Sequence, residues 1–220
     1  MPQRIVKEKK CRKHKNILIN LFIVFSSILV MNNSVCAADL GLIDANQVYE
    51  KSAEWVIIDA RPESIWQKGH IPGAFSFWWE NYITMDDEVH PMRALPPKKM
   101  AAALGAMGIS KTTAITVYGD ANKSWGGEGW VCCVLTWLGH EGPVRLLNGG
   151  IQAWTEQKYP VTSDHQAKDT KPAVYEFELK ETVLIHAAEI HKNINKYQLV
   201  DTRSTVEWFK GHLPKAVHIP

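Results

Sequence analysis

Three groups of residues in the 220-residue sequence have types and spacings suited to chemistry. Asp59-x-Arg61 is followed by Gly69-His70, and Asp201-x-Arg203 is followed by Gly211-His212. An arginine fork suits planar oxyanions or a carboxylate partner. The aspartates and histidines could act as acids, bases or ligands. The third group is the adjacent thiols Cys132 and Cys133, since a thiolate can attack an electrophile and hold a covalent intermediate. Each group also has a quieter account. Asp59 and Asp201 end apolar runs, where aspartate caps the following turn. His70 and His212 lie in Gly-His-x-Pro loops, where packing is the simpler role. Cys132 and Cys133 fall in an apolar stretch, where cysteine behaves as a small, inert hydrophobe. The remaining histidines (His90, His140, His165, His186, His191, His218) show no metal-ligand spacing.

The two Asp-x-Arg groups are copies of one another. Residues 56–77 read VIIDARPESIWQKGHIPGAFSF and residues 198–219 read QLVDTRSTVEWFKGHLPKAVHI, an ungapped match at an offset of 142. It pairs Trp66 with Trp208, Lys68 with Lys210, Pro72 with Pro214 and Ala74 with Ala216. A period of that length implies two related domains, not a solenoid.

The elements around the first copy alternate. Residues 44–54 predict an amphipathic helix. Val56-Ile57-Ile58 predicts a buried strand, 63–68 about one helical turn, and 69–74 a Pro- and Gly-rich loop. Residues 98–107 predict a helix, 114–118 a strand, 119–128 a loop, 130–138 a helix apolar on nearly every side, 144–147 a strand and 151–158 a helix. Strands alternating with helices predict an α/β fold with a central parallel sheet covered on both faces. Residues 162–173 are polar and predict a linker. Residues 184–220 restart the pattern of 42–78, and this stretch alone is expected to be poorly ordered. Trp78 and Trp79 could line a domain interface or pack in the core.

Composition narrows the function. Hydrophobic residues make up 45% of the chain, as in an ordinary globular protein, and there are 9 Trp. The net charge of +2 comes from residues 1–16, with seven basic groups and one acid; the rest carries 18 basic and 22 acidic groups. A nucleic-acid partner is therefore not expected. The basic start, the apolar run Ile17–Met31 and Val35-Cys36-Ala37 predict a signal peptide over 1–37, cleaved before Ala38. An uncleaved anchor fits less well, because the run is shorter than the ~20 residues of a spanning helix. Lipidation at Cys36 fits less well too, because Val35 is bulky. The expected compartment is periplasmic or extracellular, with membrane contact only during export. Cys11 and Cys36 leave with the signal, so the other two of the 4 Cys imply no disulfide framework.

The combination DAR-x₇-GHIPGA, VYG at a strand end, LGH, LLNGG and AW resembles the rhodanese (sulfurtransferase) family, with its elements in order over about residues 42–163. DTR-x₇-GHLPKA repeats the family's opening, similar to tandem thiosulfate sulfurtransferases. The resemblance implies a first domain over 42–163, a linker over 164–181 and the start of a second domain over 182–220. It implies transfer of sulfane sulfur from a small donor such as thiosulfate to a thiophilic acceptor, without a cofactor or metal. The family's sulfur-carrying cysteine follows the central strand, in a loop leading into a helix whose N-terminus favours anions. Here that loop reads Gly119-Asp120 and holds no cysteine, so no catalytic residue is assigned and the first domain is expected to be silent. The second domain's loop would lie well past Pro220, so the sequence is expected to be a fragment or a truncated product. By the resemblance Arg203 binds the anionic donor; an ion pair with Asp201 is the structural alternative. For Arg61, in the silent domain, the structural role leads. The competing function is a non-catalytic binding module in the periplasm. A phosphatase of related fold would need the same loop cysteine.

Overall fold

The computed structural model describes residues 39–84, 93–121, 123, 126–164 and 170–220. The signal-peptide expectation, Cys11, Cys36, His90 and His165 lie outside the described residues. In chain order the first repeat runs β1 (Leu40–Ile43), α1 (Ala45–Lys51), β2 (Val56–Asp59), α2 (Glu63–Trp66), β3 (Phe75–Ser76), β4 (Ile83–Thr84), β5 (Arg93–Ala94), α3 (Pro97–Ala106), β6 (Ile115–Tyr118), α4 (Gly127–Trp137), β7 (Val144–Leu147) and α5 (Gly150–Glu156). Five strands form one parallel sheet in the order β1-β7-β6-β2-β3. The fold is α/β with a central parallel sheet flanked by helices, as the alternating pattern predicts.

The sheet is apolar on both faces because each central strand feeds two cores. Val56 and Ile58 of β2, with Ile115 and Val117 of β6, pack under α3 and α4 against Met100, Leu104, Val131 and Leu135. Ile57 and Tyr118 point the other way, into α1 and α5, against Val48, Ile151 and Trp154. All four residues of β2 and of β6 are buried.

Helix α4 departs from expectation. It begins at Gly127, earlier than the apolar run suggests, because Gly126 takes the left-handed conformation that starts it. It is also not buried all round. Val131, Val134 and Leu135 face the sheet, while Cys132 is half-buried and Cys133 exposed. The β4–β5 ribbon and the edge strand β1 are further elements that the apolar runs did not mark. In β1 only Ile43 is buried.

The second repeat contains α6 (Ala187–Asn193), β8 (Val200–Asp201), α7 (Thr205–Lys210) and β9 (Val217–His218). Its register reproduces the first repeat. Val200 pairs with Val217 and Asp201 with His218, as Ile58 pairs with Phe75 and Asp59 with Ser76. The repeated letters thus carry the same strand–helix–strand unit in both places. Burial is not reproduced: no residue from 182 to 220 is buried, and Phe209 is 81% exposed.

Candidate functional site

In open parallel sheets the ligand-binding edge is at the carboxyl ends of the strands. Here that edge carries Asp59–Arg61 after β2, Tyr118-Gly119-Asp120 after β6 and Asn148-Gly149-Gly150 after β7.

The Asp59–Arg61 pair is a closed, buried lock. Arg61 Nε donates to Asp59 Oδ1 at 2.9 Å, and Nη2 donates to Oδ2 at 2.6 Å and to the Gly69 carbonyl at 2.7 Å. The Arg61 backbone N–H also donates to Oδ1, so the aspartate caps its own turn. Tyr118 completes the lock. Its hydroxyl donates to Asp59 Oδ2 at 2.6 Å and accepts from the Ile71 N–H at 3.1 Å, and its ring lies under the guanidinium. Burial pulls the Arg61 guanidinium down, but Asp59 more than offsets it and the net direction is up. Burial holds the Tyr118 phenol well above its ordinary value, so it stays a donor. The structural role of Arg61 follows from this geometry. Tyr118 was missed in the sequence; a polar hydroxyl ending a fully buried strand was its only signal.

His70 is fully buried inside the same loop. Its Nδ1–H donates to the Trp66 carbonyl at 2.8 Å, its ring stacks on Trp66, and its backbone exchanges two hydrogen bonds with Thr162. That is loop packing. Trp78 and Trp79 are half-buried and meet edge to face.

The loop after β6 holds carboxylates, Asp120 within it and Glu128 where it enters α4. A Cβ on Gly119 would collide with Glu128 Oε2. The Glu128 carboxylate therefore occupies the space into which a side chain at 119 would project. It also sits in the first turn of α4, where the helix dipole favours an anion. Glycine is required at 150 as well. Gly150 has φ 58°, its Cβ would come 2.6 Å from the Gly119 carbonyl, and Ile151 N–H donates to that carbonyl. The Asn-Gly-Gly motif thus docks α5 directly onto the loop. A cavity of about 200 Å3 remains, with Glu128 as the one titratable side chain lining it among the described residues. Cys132 and Cys133 are not part of it. Burial, aided by Glu128, pushes the Cys132 thiol up to about 11, and burial raises Cys133 as well. Neither is a ready thiolate.

The second repeat copies the Asp–Arg lock in the open. Arg203 Nε donates to Asp201 Oδ1 at 3.0 Å, and Nη2 donates to Oδ2 at 2.6 Å and to the Gly211 carbonyl at 2.8 Å. These hydrogen bonds hold the Asp201 carboxyl down at about 2. His212 stacks on Trp208 as His70 does on Trp66, and His218 adds a second stack. One feature differs from the first copy: the Arg203 side chain is 47% exposed, against 8% for Arg61. It borders an open hollow lined by Leu199, Asp201, His212 and Leu213.

Comparison with known proteins agrees with this architecture. A family model described as the rhodanese-like domain matches residues 44–157 and 186–220. The sulfur carrier protein TtuD of Thermus thermophilus is 28% identical over 178 residues, 71% of this chain and 60% of that protein. The 3-mercaptopyruvate sulfurtransferase of Mus musculus is 26% identical, over 82% of this chain and 62% of its own length. The thiosulfate sulfurtransferase of Bos taurus is 28% identical, over 74% and 57%. The chain thus spans less than two thirds of these relatives. Among solved structures, the 3-mercaptopyruvate sulfurtransferase SseA from Escherichia coli superposes with a TM-score of 0.70 at 22% identity, over 81% of this chain and 74% of that one.

Proposed function

Since the chain belongs to the rhodanese-like family, we propose that it is the donor-side part of an exported tandem sulfurtransferase. One observation carries the reading. The same Asp–Arg–Gly lock occurs twice, buried around Arg61 and left facing solvent at Arg203. A guanidinium that solvent can reach is suited to the oxygens of a sulfonate-like donor such as thiosulfate.

The chemistry needs a thiolate. It attacks the outer sulfur of thiosulfate, the S–S bond breaks, and sulfite leaves with the electron pair. A thiophile such as cyanide then takes the terminal sulfur from the persulfide, and the thiolate returns. In this reading the first repeat carries no sulfur, because its loop 119–128 holds no cysteine and Glu128 fills the space beside Gly119. In this proposal the carrier cysteine belongs to a second rhodanese-like unit, whose opening motif is residues 198–219. The first repeat then shapes the site and transfers no sulfur itself.

The silent loop also favours a second reading, a non-catalytic module that binds an anion or a partner in the periplasm. One experiment bears on both. The purified chain is mixed with thiosulfate and cyanide, and thiocyanate is measured. In parallel, thiosulfate is titrated while the Arg203 side-chain Nε–H resonance is followed. Expected are no thiocyanate and a saturable shift that is lost in Arg203→Ala. Turnover abolished by a Cys132→Ser/Cys133→Ser double variant would overturn the assignment of a silent first repeat. A resonance unmoved by thiosulfate would overturn Arg203 as the donor contact.

A further inference from the structure

The stretch that joins the repeats is bound tightly to the first of them. Residues 170–180 form no helix or strand, yet their N–H groups donate to carbonyls at the ends of two helices. Ala173 N–H donates to Gly105 O at the end of α3; Glu178 and Lys180 donate to Leu138 O and Trp137 O at the end of α4. The approach is backbone to backbone. A side chain at Gly105 or Gly139 would collide with the carbonyls of Ala173 and Glu178.

Tyr175 is the one buried side chain in this strap, 5% exposed, and it meets His140, which is 2% exposed. His140 Nε2 faces the Thr113 carbonyl at 2.9 Å, so it carries the proton. Nδ1 is then a lone pair, 3.0 Å from the Tyr175 hydroxyl, which donates to it. A proton added at Nδ1 reverses that last bond. The tyrosine hydrogen then has no acceptor among the described residues, and a cation is shut beneath the strap.

We propose that His140 and Tyr175 form a proton-released latch, which holds strap 170–180 on the first repeat and frees it as pH falls through the histidine range. The surrounding charges do not rescue the imidazolium. Glu141, the adjacent carboxylate, is exposed and held by Lys111 at 2.7 Å; Glu178 is shared between Lys111 and Lys180. Burial outweighs Thr113 and Glu141 and moves His140 below its ordinary value. The strap-closed state therefore binds fewer protons than the strap-open state, and closing is favoured at higher pH. Below about pH 6.5, each unit weakens closing by up to about tenfold, until His140 charges within the closed state. The strap leads through Lys180 into a cleft of about 1100 Å3 between the β4–β5 ribbon, Trp137 and residues 181–197. Release of the latch thus also frees one wall of that cleft.

The test is amide hydrogen exchange on the whole chain from about pH 5 to pH 8, corrected for intrinsic exchange. Protection of Ala173, Glu178 and Lys180 should fall up to about tenfold per unit below about pH 6.5, with Ile58 and Val117 unchanged. His140→Gln should flatten the profile, while His186→Asn, on the neighbouring segment, should leave it intact. Should His140→Gln not fold, the imidazole carbon shift of His140 in the wild-type chain must titrate with the strap amides. A flat wild-type profile, a slope surviving in His140→Gln, or midpoints more than about one unit apart would overturn the latch.

Discussion

The twin Asp–Arg locks give a controlled measure of what burial does to an ion pair. Their geometries match: 2.6 Å from Nη2 to the carboxylate in both, and 2.7 and 2.8 Å to the glycine carbonyl. Their surroundings do not. The Arg61 and Asp59 side chains are 8% and 0% exposed, against 47% and 11% for Arg203 and Asp201. Arg61→Ala leaves the Asp59 carboxylate at full burial, with only the Tyr118 hydroxyl and one backbone N–H as donors, and strips the Gly69 carbonyl of its partner. Breaking one side of a buried pair costs about 3–5 kcal/mol. With a urea slope of about 2 kcal/mol/M, the unfolding midpoint of the first repeat falls by roughly 1.5–2.5 M. Arg203→Ala breaks the same bonds in water, where exposed pairs contribute little, and should leave that midpoint in place. Urea titrations followed by tryptophan fluorescence, with far-ultraviolet circular dichroism alongside, measure both variants. A shift below about 0.5 M for Arg61→Ala, or equal shifts for the two variants, would refute the argument that burial decides the strength of this motif.

Two further outcomes follow from the loop and from helix α4. Gly150→Ala forces a Cβ to within 2.6 Å of the Gly119 carbonyl at a φ of 58°; the left-handed conformation alone costs about 1–2 kcal/mol, so a calorimetric Tm should drop, and an unchanged Tm would show that the loop yields freely. Iodoacetamide at mildly alkaline pH should label exposed Cys133 well before Cys132, whose thiol is pushed up to about 11; peptide mass spectrometry reads the order, and faster labelling of Cys132 would mark it as an activated thiol.

Much of this was legible in the chain. The apolar run Val56–Ile58 and the β-rich run Ala114–Tyr118 predict strands of a covered sheet, and the structure buries Val56–Asp59 and Ile115–Tyr118. The letters LLNGG served only the family resemblance; that Gly150 lets α5 approach Gly119 closely came from the packing. The absence of cysteine from loop 119–128 was plain in the letters. What replaces it was not. Glu128 lies nine positions from Gly119, and only the turn through Gly126 brings its carboxylate back onto the loop.

By itself, the sequence determined the repeat, the local strand–helix–strand geometry and even the pairing register, because these depend on neighbours along the chain. Both copies therefore build the same lock from the same letters. Tertiary structure alone decided which copy is sealed. Arg61 closes under a packed sheet with Tyr118 beneath it, whereas Arg203 keeps one edge in water. It also decided the strap, of which only residues 170–173 fall in the polar stretch read as a linker. Its place comes from carbonyls at the ends of two helices and from the His140–Tyr175 contact, 35 residues apart in the chain. Burial and long-range pairing are properties of the packed whole, and no local pattern encodes them.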